Sequence, residues 1–147
     1  MNAAEIRFID VLKKHRQSIT KSRMLIFKTL SENGLMTMQN LILKCPEVDR
    51  ASIYRAIAVL EEIEIVHKVT HGFKYHIELS DLFVAHHHHI TCEKCLSMSE
   101  IVTEDIEKVI QRAAKSNGFT LTRPTVELRG ICGTCKMPPD SVEVASA

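Results

Sequence analysis

At 147 residues, 45% hydrophobic and 25% charged, the chain has apolar material for one ordinary domain or two small ones, and two small ones would each need added support. No stretch approaches the roughly 20 apolar residues of a membrane span, and the amphipathic, charged opening MNAAEIRFIDVLKKHR is unlike a secretory signal; a membrane protein is excluded and a cytoplasmic one expected. The net charge of +1 conceals an asymmetry: residues 13–55 carry nine basic and three acidic side chains, residues 85–147 seven basic and eight acidic, and a basic N-terminal half is the electrostatic footprint of a nucleic-acid binder.

From residue 3 to about 16, Ile6, Ile9 and Leu12, joined by Phe8 and Val11, trace the apolar stripe of an amphipathic helix with a basic end, KKHR. Thr20 is a good N-cap for a second helix through Met24, Phe27 and Leu30, stopped at Asn33-Gly34. Thr37 caps a short third helix that carries Leu41 and Ile42 and ends before Pro46. A fourth begins near Asp49 or Ser52 and runs RASIYRAIAVLEEIEI. Ile53, Ile57 and Leu60 point into a core, which pushes Arg50, Tyr54 and Arg55 toward solvent in its first turns. A recognition helix reads the major groove with its N-terminal residues, so this placement suits DNA reading. The runs IVHKVT and FKYHIEL, joined by His71-Gly72, read as a hairpin, and helices followed by a two-stranded wing make a winged helix. The plainer alternative is a helical domain whose Tyr54 and Arg55 are ordinary surface residues.

Four consecutive histidines precede a Cys-x-x-Cys pair in AHHHHITCEKC, residues 85–95, inside the chain where a purification tag does not belong. If FVAHHHHITC runs as a strand toward Cys92, His86 and His88 face one way and His87 and His89 the other, so the quartet seeds two sites. Each pair needs further ligands. For the His87/His89 face they are Glu78, Glu100, and His67 or His76 on the hairpin, a set that bridges both halves of the chain. For the His86/His88 face Glu107 is available, because a buried stripe of Ile106, Val109, Ile110 and Ala113 leaves it off the core. The alternatives are uncoordinated surface histidines and a surface Glu107 with no metal role.

Of the five cysteines, Cys92 and Cys95, with Cys132 and Cys135, have the spacing of a closed tetrahedral thiolate zinc site. The pairs meet if a helix ends at Gly118 and FTLTRPTVELRGIC returns as strands. Zinc held this way contributes on the order of 10 kcal/mol to ordering a small domain. A redox dithiol would use one such pair near a helix N-terminus, not two. Cys45 reads as a half-buried free thiol at a helix end. The tail KMPPDSVEVASA, with two prolines and no periodicity, reads as frayed.

Together TKSR (20–23), RASIYRAIAVLEE (50–62), IEL (77–79), HHHHITCEKC (86–95), GF (118–119) and GICGTC (130–135) resemble the ferric uptake regulator family over nearly the whole chain. The resemblance implies an α+β protein: a winged-helix DNA-binding domain over 1–80, a C-terminal α/β dimerisation domain with a four-cysteine zinc site over 81–137, and a disordered tail over 138–147. It implies a metal-responsive regulator, a repressor in metal homeostasis, that binds a palindromic operator in double-stranded DNA as a homodimer. Carried over by residue, it implies a structural Zn2+ on Cys92, Cys95, Cys132 and Cys135. DNA contacts fall to Tyr54 and Arg55, with Arg50 and Ser52 in the same turns and Arg23 ahead of the second helix. A regulatory divalent metal falls to Glu78, His87, His89 and Glu100, and an accessory one to His86, His88 and Glu107.

The chain departs from the family pattern in four places. Gly34-Leu35 stands where many members have a metal-binding histidine, and His67 occupies the hinge position used by members similar to zinc uptake regulators. In the accessory set Pro124 replaces a histidine and His88 an aspartate. Leu96 replaces the glycine usual after the second cysteine. Nitrogen ligation by His67, His87 and His89 favours Zn2+ or Ni2+ at the regulatory site, whereas Glu78 and Glu100 suit Fe2+ or Mn2+. A peroxide-sensing member of the family is one alternative. Two others come from different classes: a zinc-dependent hydrolase on His87, His89 and Glu78, which would lack an H-E-x-x-H helix, and a zinc-ribbon adaptor that binds protein.

Overall fold

The structure, a computed structural model, describes residues 1–71, 74–101, 104–122, 124 and 126–136. It divides into two compact units, Met1–His86 and His87–Ala147. The expected hairpin turn at Gly72 and the expected tail over 138–147 lie outside the described residues.

The first unit opens with α1 (Ala3–Lys14), α2 (Lys21–Asn33), β1 (Met36–Thr37), α3 (Met38–Lys44) and α4 (Arg50–Glu62). A short polar side chain starts each helix by accepting from an otherwise unpaired first-turn N–H. Asn2 does this in a reciprocal capping box with Glu5, Thr20 accepts from Arg23, Thr37 from Asn40 and Asp49 from Ser52. Gly34 closes α2 at φ +65°, a left-handed conformation that strains any residue with a Cβ.

The apolar faces meet in one core. Phe8 stacks on Phe27 with centroids 4.2 Å apart, and Leu12, Ile26, Leu30, Leu41, Ile53, Ile57 and Leu60 close around them. The stacking corrects the α1 expectation. It turns the face carrying Glu5, Phe8 and Leu12 inward, while Ile6 is exposed and Ile9 half-buried. Cys45 is fully buried, not half-buried, with Sγ 3.4 Å from the Thr29 hydroxyl.

β2 (Val66–His71) and β3 (Lys74–Leu79) form the hairpin, and β1 adds a third strand that the sequence did not suggest, in the order β1-β3-β2. Alternation sends Val66, Ile77 and Leu79 into the core. His67 and Glu78 are register partners and so project from the same face of the sheet. The chain then stays with this unit: the Ser80 N–H donates to the Ile65 carbonyl (2.9 Å), Arg7 Nη1 to the Leu82 carbonyl (2.7 Å), and Phe83 packs edge-on to Phe27 (5.1 Å). Residues 81–86 therefore belong to the first unit, where the sequence expectation had assigned them to the second.

The second unit contains β4 (His88–Cys92), β5 (Met98–Ile101), α5 (Glu104–Ser116), β6 (Glu127–Gly130) and the short α6 (Gly133–Lys136). The sheet order is β5-β4-β6, with β4 antiparallel to β5 and parallel to β6. A parallel neighbour needs a long crossover, and α5 supplies it. Three expectations need correcting. The strand begins at His88, so His86 and His87 precede it. The return after Gly118 forms one strand, not a pair, among the described residues, and Pro124, which has no N–H to donate, lies in the stretch before it. The α5 stripe is not buried: Ile106 and Ile110 are half-covered, while Ala113 is exposed and Val109 is 57% exposed. Among the described residues no second layer fully covers that stripe. Phe119, at 71% exposure, is bare as well. Among the described residues no helix is long and apolar enough to cross a membrane.

Candidate metal centres and nucleic-acid face

The four paired cysteines converge within the second unit. After Cys92 the chain reverses through residues 93–96: the Leu96 N–H donates to the Cys92 carbonyl (2.9 Å) and the Cys92 N–H to the Ser97 carbonyl (2.8 Å). The turn needs φ +60° at Leu96, a left-handed conformation that glycine, the residue the family resemblance implies there, adopts without strain. The second turn docks on the first. The Glu93 N–H donates to the Gly130 carbonyl (2.8 Å), the Cys132 N–H to Cys92 Sγ (3.3 Å), and Lys94 Nζ to the Cys135 carbonyl (3.3 Å).

All four sulfurs lie within 4.8 Å of one another, with Cys95 and Cys132 at 3.7 Å. A tetrahedron with zinc–sulfur bonds of about 2.3 Å has edges of about 3.8 Å, so the donor set and its spacing fit structural zinc. The thiol acidities point the same way. Hydrogen bonds from the backbone N–H of Cys132, then of Cys95, bring Cys92 down to about 6, whereas the neighbouring thiols of Cys132 and Cys95, with burial, push Cys135 up to about 12. Sulfurs this crowded ionise together only around a cation.

The histidine quartet divides as alternation requires, although only its last two members are in the strand. The rings of His87 and His89 meet edge to face, with centroids 4.9 Å apart. Glu100 on β5 is the register partner of His89. His88 points elsewhere, nearly buried, with Nε2 2.7 Å from Glu107 Oε1 on α5. His86 Nδ1 lies 2.9 Å from Asp81 Oδ2 in the first unit, a carboxylate the sequence reading overlooked although it stands only five residues away. Of the remaining proposed ligands, Glu78 is buried on β3 and His67 exposed on β2.

On α4 the buried face of Ile53, Ala56, Ile57 and Leu60 leaves Arg50, Tyr54 and Arg55 exposed in the first two turns. Asp49 is held below the usual carboxylate range, first by the Ser52 hydroxyl and then by the Ser52 N–H. Arg55 Nη2 donates to that hydroxyl (3.0 Å) while the Ser52 N–H donates to Asp49 Oδ1 (2.9 Å), so Ser52 links acid and guanidinium at the helix start. Arg23 is partly buried and donates to the Ser18 carbonyl and to Gln17 Oε1, bracing the turn between α1 and α2.

The sequence profile of the ferric uptake regulator family matches residues 14–129. The chain belongs to this family. Ferric uptake regulator proteins are dimeric, DNA-binding, metal-responsive transcription regulators, and the α+β architecture of winged helix plus dimerisation domain is theirs. The chain is 30% identical to the ferric uptake regulation protein of Campylobacter jejuni, covering 94% of this chain and 92% of that one. It is 31% identical to the peroxide-responsive repressor PerR of Staphylococcus epidermidis, covering 87% of each. The solved Helicobacter pylori ferric uptake regulator shares the fold, with a TM-score of 0.78 at 20% identity over 93% of this chain and 94% of that one.

Proposed function

We propose that this ferric uptake regulator is a metal-activated repressor, not an enzyme, acting in the cytoplasm where its DNA lies, and that its sensing site joins His87, His89 and Glu100 of the second unit to Glu78 and His67 of the first. The observation that carries this reading is the His87–His89 pair, two imidazoles in contact at the head of β4 with a carboxylate across from one of them. His67 supports it from the other unit: as the register partner of Glu78, it offers a nitrogen donor beside that carboxylate, in a chain that has Leu35 where the family resemblance implies a histidine in many members. A divalent cation at this site supplies coordination that only one arrangement of the units satisfies. About 5.5 kcal/mol of differential affinity turns a mostly open population into a mostly closed one.

The four cysteines hold the structural zinc. Tyr54 and Arg55 read DNA from the first turns of α4, with Arg50 and Ser52 beside them, and Arg23 holds the preceding turn in register. Two copies, joined over the bare apolar side of α5, present two such helices to a palindrome. His88 and Glu107 act first as a direct clasp between β4 and α5; with His86 they make an accessory metal position that lacks the fourth ligand Pro124 has displaced.

The test is the double variant His87→Ala/His89→Ala on duplex DNA enriched from a randomised pool. The expected result is loss of metal-dependent binding with one zinc per chain retained. Unchanged metal-dependent binding would remove the sensing assignment. The likeness to a peroxide-responsive repressor supports a second reading, in which iron at the same site oxidises a ligand histidine. Mass spectrometry after peroxide treatment of the iron-loaded protein separates the two, because only this second reading adds oxygen to His87 or His89.

A further inference from the structure

The start of α4 contains a contact that helix formation does not ask for. Arg50 is the first residue of α4 and Tyr54 stands one turn further on, with the guanidinium carbon 5.8 Å from the ring centroid. Helix geometry sets up the meeting. Side chains lean toward the N-terminus, so a long one covers the turn before its own. The Tyr54 ring thereby comes over position 50, and a guanidinium there meets the electron-rich ring face. A cation at this end of a helix works against the helix macrodipole, so Arg50 is not placed for the stability of α4. Nor does it share the anchor used by its neighbour: Asp49 accepts from the Ser52 N–H, and Arg55 is held by the Ser52 hydroxyl.

We propose that Arg50 is a positioning residue for Tyr54. Its guanidinium holds the ring, 42% exposed, in the orientation that meets a base edge, and it affects sequence discrimination through the ring, not through a phosphate contact of its own. An exposed tyrosine samples several rotamers, and each one frozen out on binding weakens the complex, so a ring fixed beforehand discriminates better. The proposal rests on α4 being the recognition helix. It revises the sequence expectation for Arg50 from a DNA contact to a support for one.

The experiment uses the full-length, zinc-loaded protein with added Zn2+. Two duplexes are needed: one enriched from a randomised pool by the wild type, and a shuffled one of equal composition. Affinities over a series of KCl concentrations are measured for the wild type, Arg50→Ala, Arg50→Lys, Tyr54→Ala and the Arg50→Ala/Tyr54→Ala double variant. Arg50→Ala is expected to lower the ratio of selected to shuffled affinity by about two- to fivefold, the worth of an exposed cation–ring contact. Arg50→Lys should recover part of it, and Arg50→Ala should change nothing further once Tyr54 is gone. The salt dependence and the thermal midpoint should stay at wild-type values, which a merely structural role or a phosphate contact would not allow. A salt slope reduced by about one in Arg50→Ala means a lost phosphate contact and overturns the proposal. So does an equal Arg50 effect with and without Tyr54. If Tyr54→Ala leaves the ratio untouched, the recognition-helix reading itself fails.

Discussion

Withdrawing zinc is expected to unfold the second unit while the first stays folded. Every buried hydrophobic residue among the described ones lies in the first unit except Cys92, itself one of the four clustered thiols. A fully buried aliphatic or aromatic side chain contributes about 1.5–3 kcal/mol. The second unit therefore has almost no apolar core of its own to set against the entropy of ordering β4, β5, α5 and β6. Structural zinc contributes on the order of 10 kcal/mol or more, several times what one buried side chain supplies. The two cysteine turns are also where β4 and β6 are tied together, through the bonds from Glu93 to Gly130 and from Cys132 to Cys92. Hydrogen–deuterium exchange with mass spectrometry, on chelator-stripped protein and on Cys132→Ser, reads the outcome segment by segment. Peptides from β4 and β6 should exchange within the dead time, while those from α2, α4 and β3 keep their wild-type protection. Slow exchange in β4 and β6 of protein shown by metal analysis to be zinc-free would refute the reasoning, as would simultaneous loss of protection in α2 and α4.

Leu96→Gly should raise the thermal stability of the zinc-loaded protein by up to about 1 kcal/mol, because glycine adopts the left-handed turn conformation without a Cβ clash; an unchanged or lower midpoint in calorimetry would mean the Leu96 side chain contributes more than the turn strain. Zinc content should hold at neutral pH and fall as the medium is acidified, because protons compete with the metal for the four clustered thiolates. Metal analysis after dialysis over a descending pH series checks this, and zinc content that does not change with acidification would contradict thiolate ligation. Phe83→Ala should lower the urea stability of the first unit by about 2 kcal/mol through loss of its edge contact with Phe27, without altering zinc content; no change would show that the chain after β3 is not anchored there.

Features set by local chemistry were legible in the sequence. Thr20 and Thr37 cap the helices they are expected to cap, and Asp49, one of the two starts the sequence offers for α4, caps it, since a cap needs only a side-chain oxygen and the N–H three residues on. The alternation of His87, His88 and His89 was legible from backbone geometry, as was the gathering of two C-x-x-C pairs from their spacing. What escaped depends on partners distant in the chain. Phe8 finds Phe27 and turns α1 away from the Ile6 stripe. Arg7, Ile65 and Phe27 capture residues 80–83 and carry the chain as far as His86 into the first unit. The α5 stripe reads as buried by periodicity, yet a stripe is covered only if something lies over it, and periodicity carries no information on whether that layer is the same chain or another.

Cys45 is sealed beneath α2 against Thr29, with no surface open to reagents. The odd fifth thiol is thus withheld from the chemistry of the other four. A thiol-alkylating agent acting on the native fold reports on that cluster alone, and a cysteine introduced on the surface can be dye-labelled selectively while zinc masks its own four sulfurs.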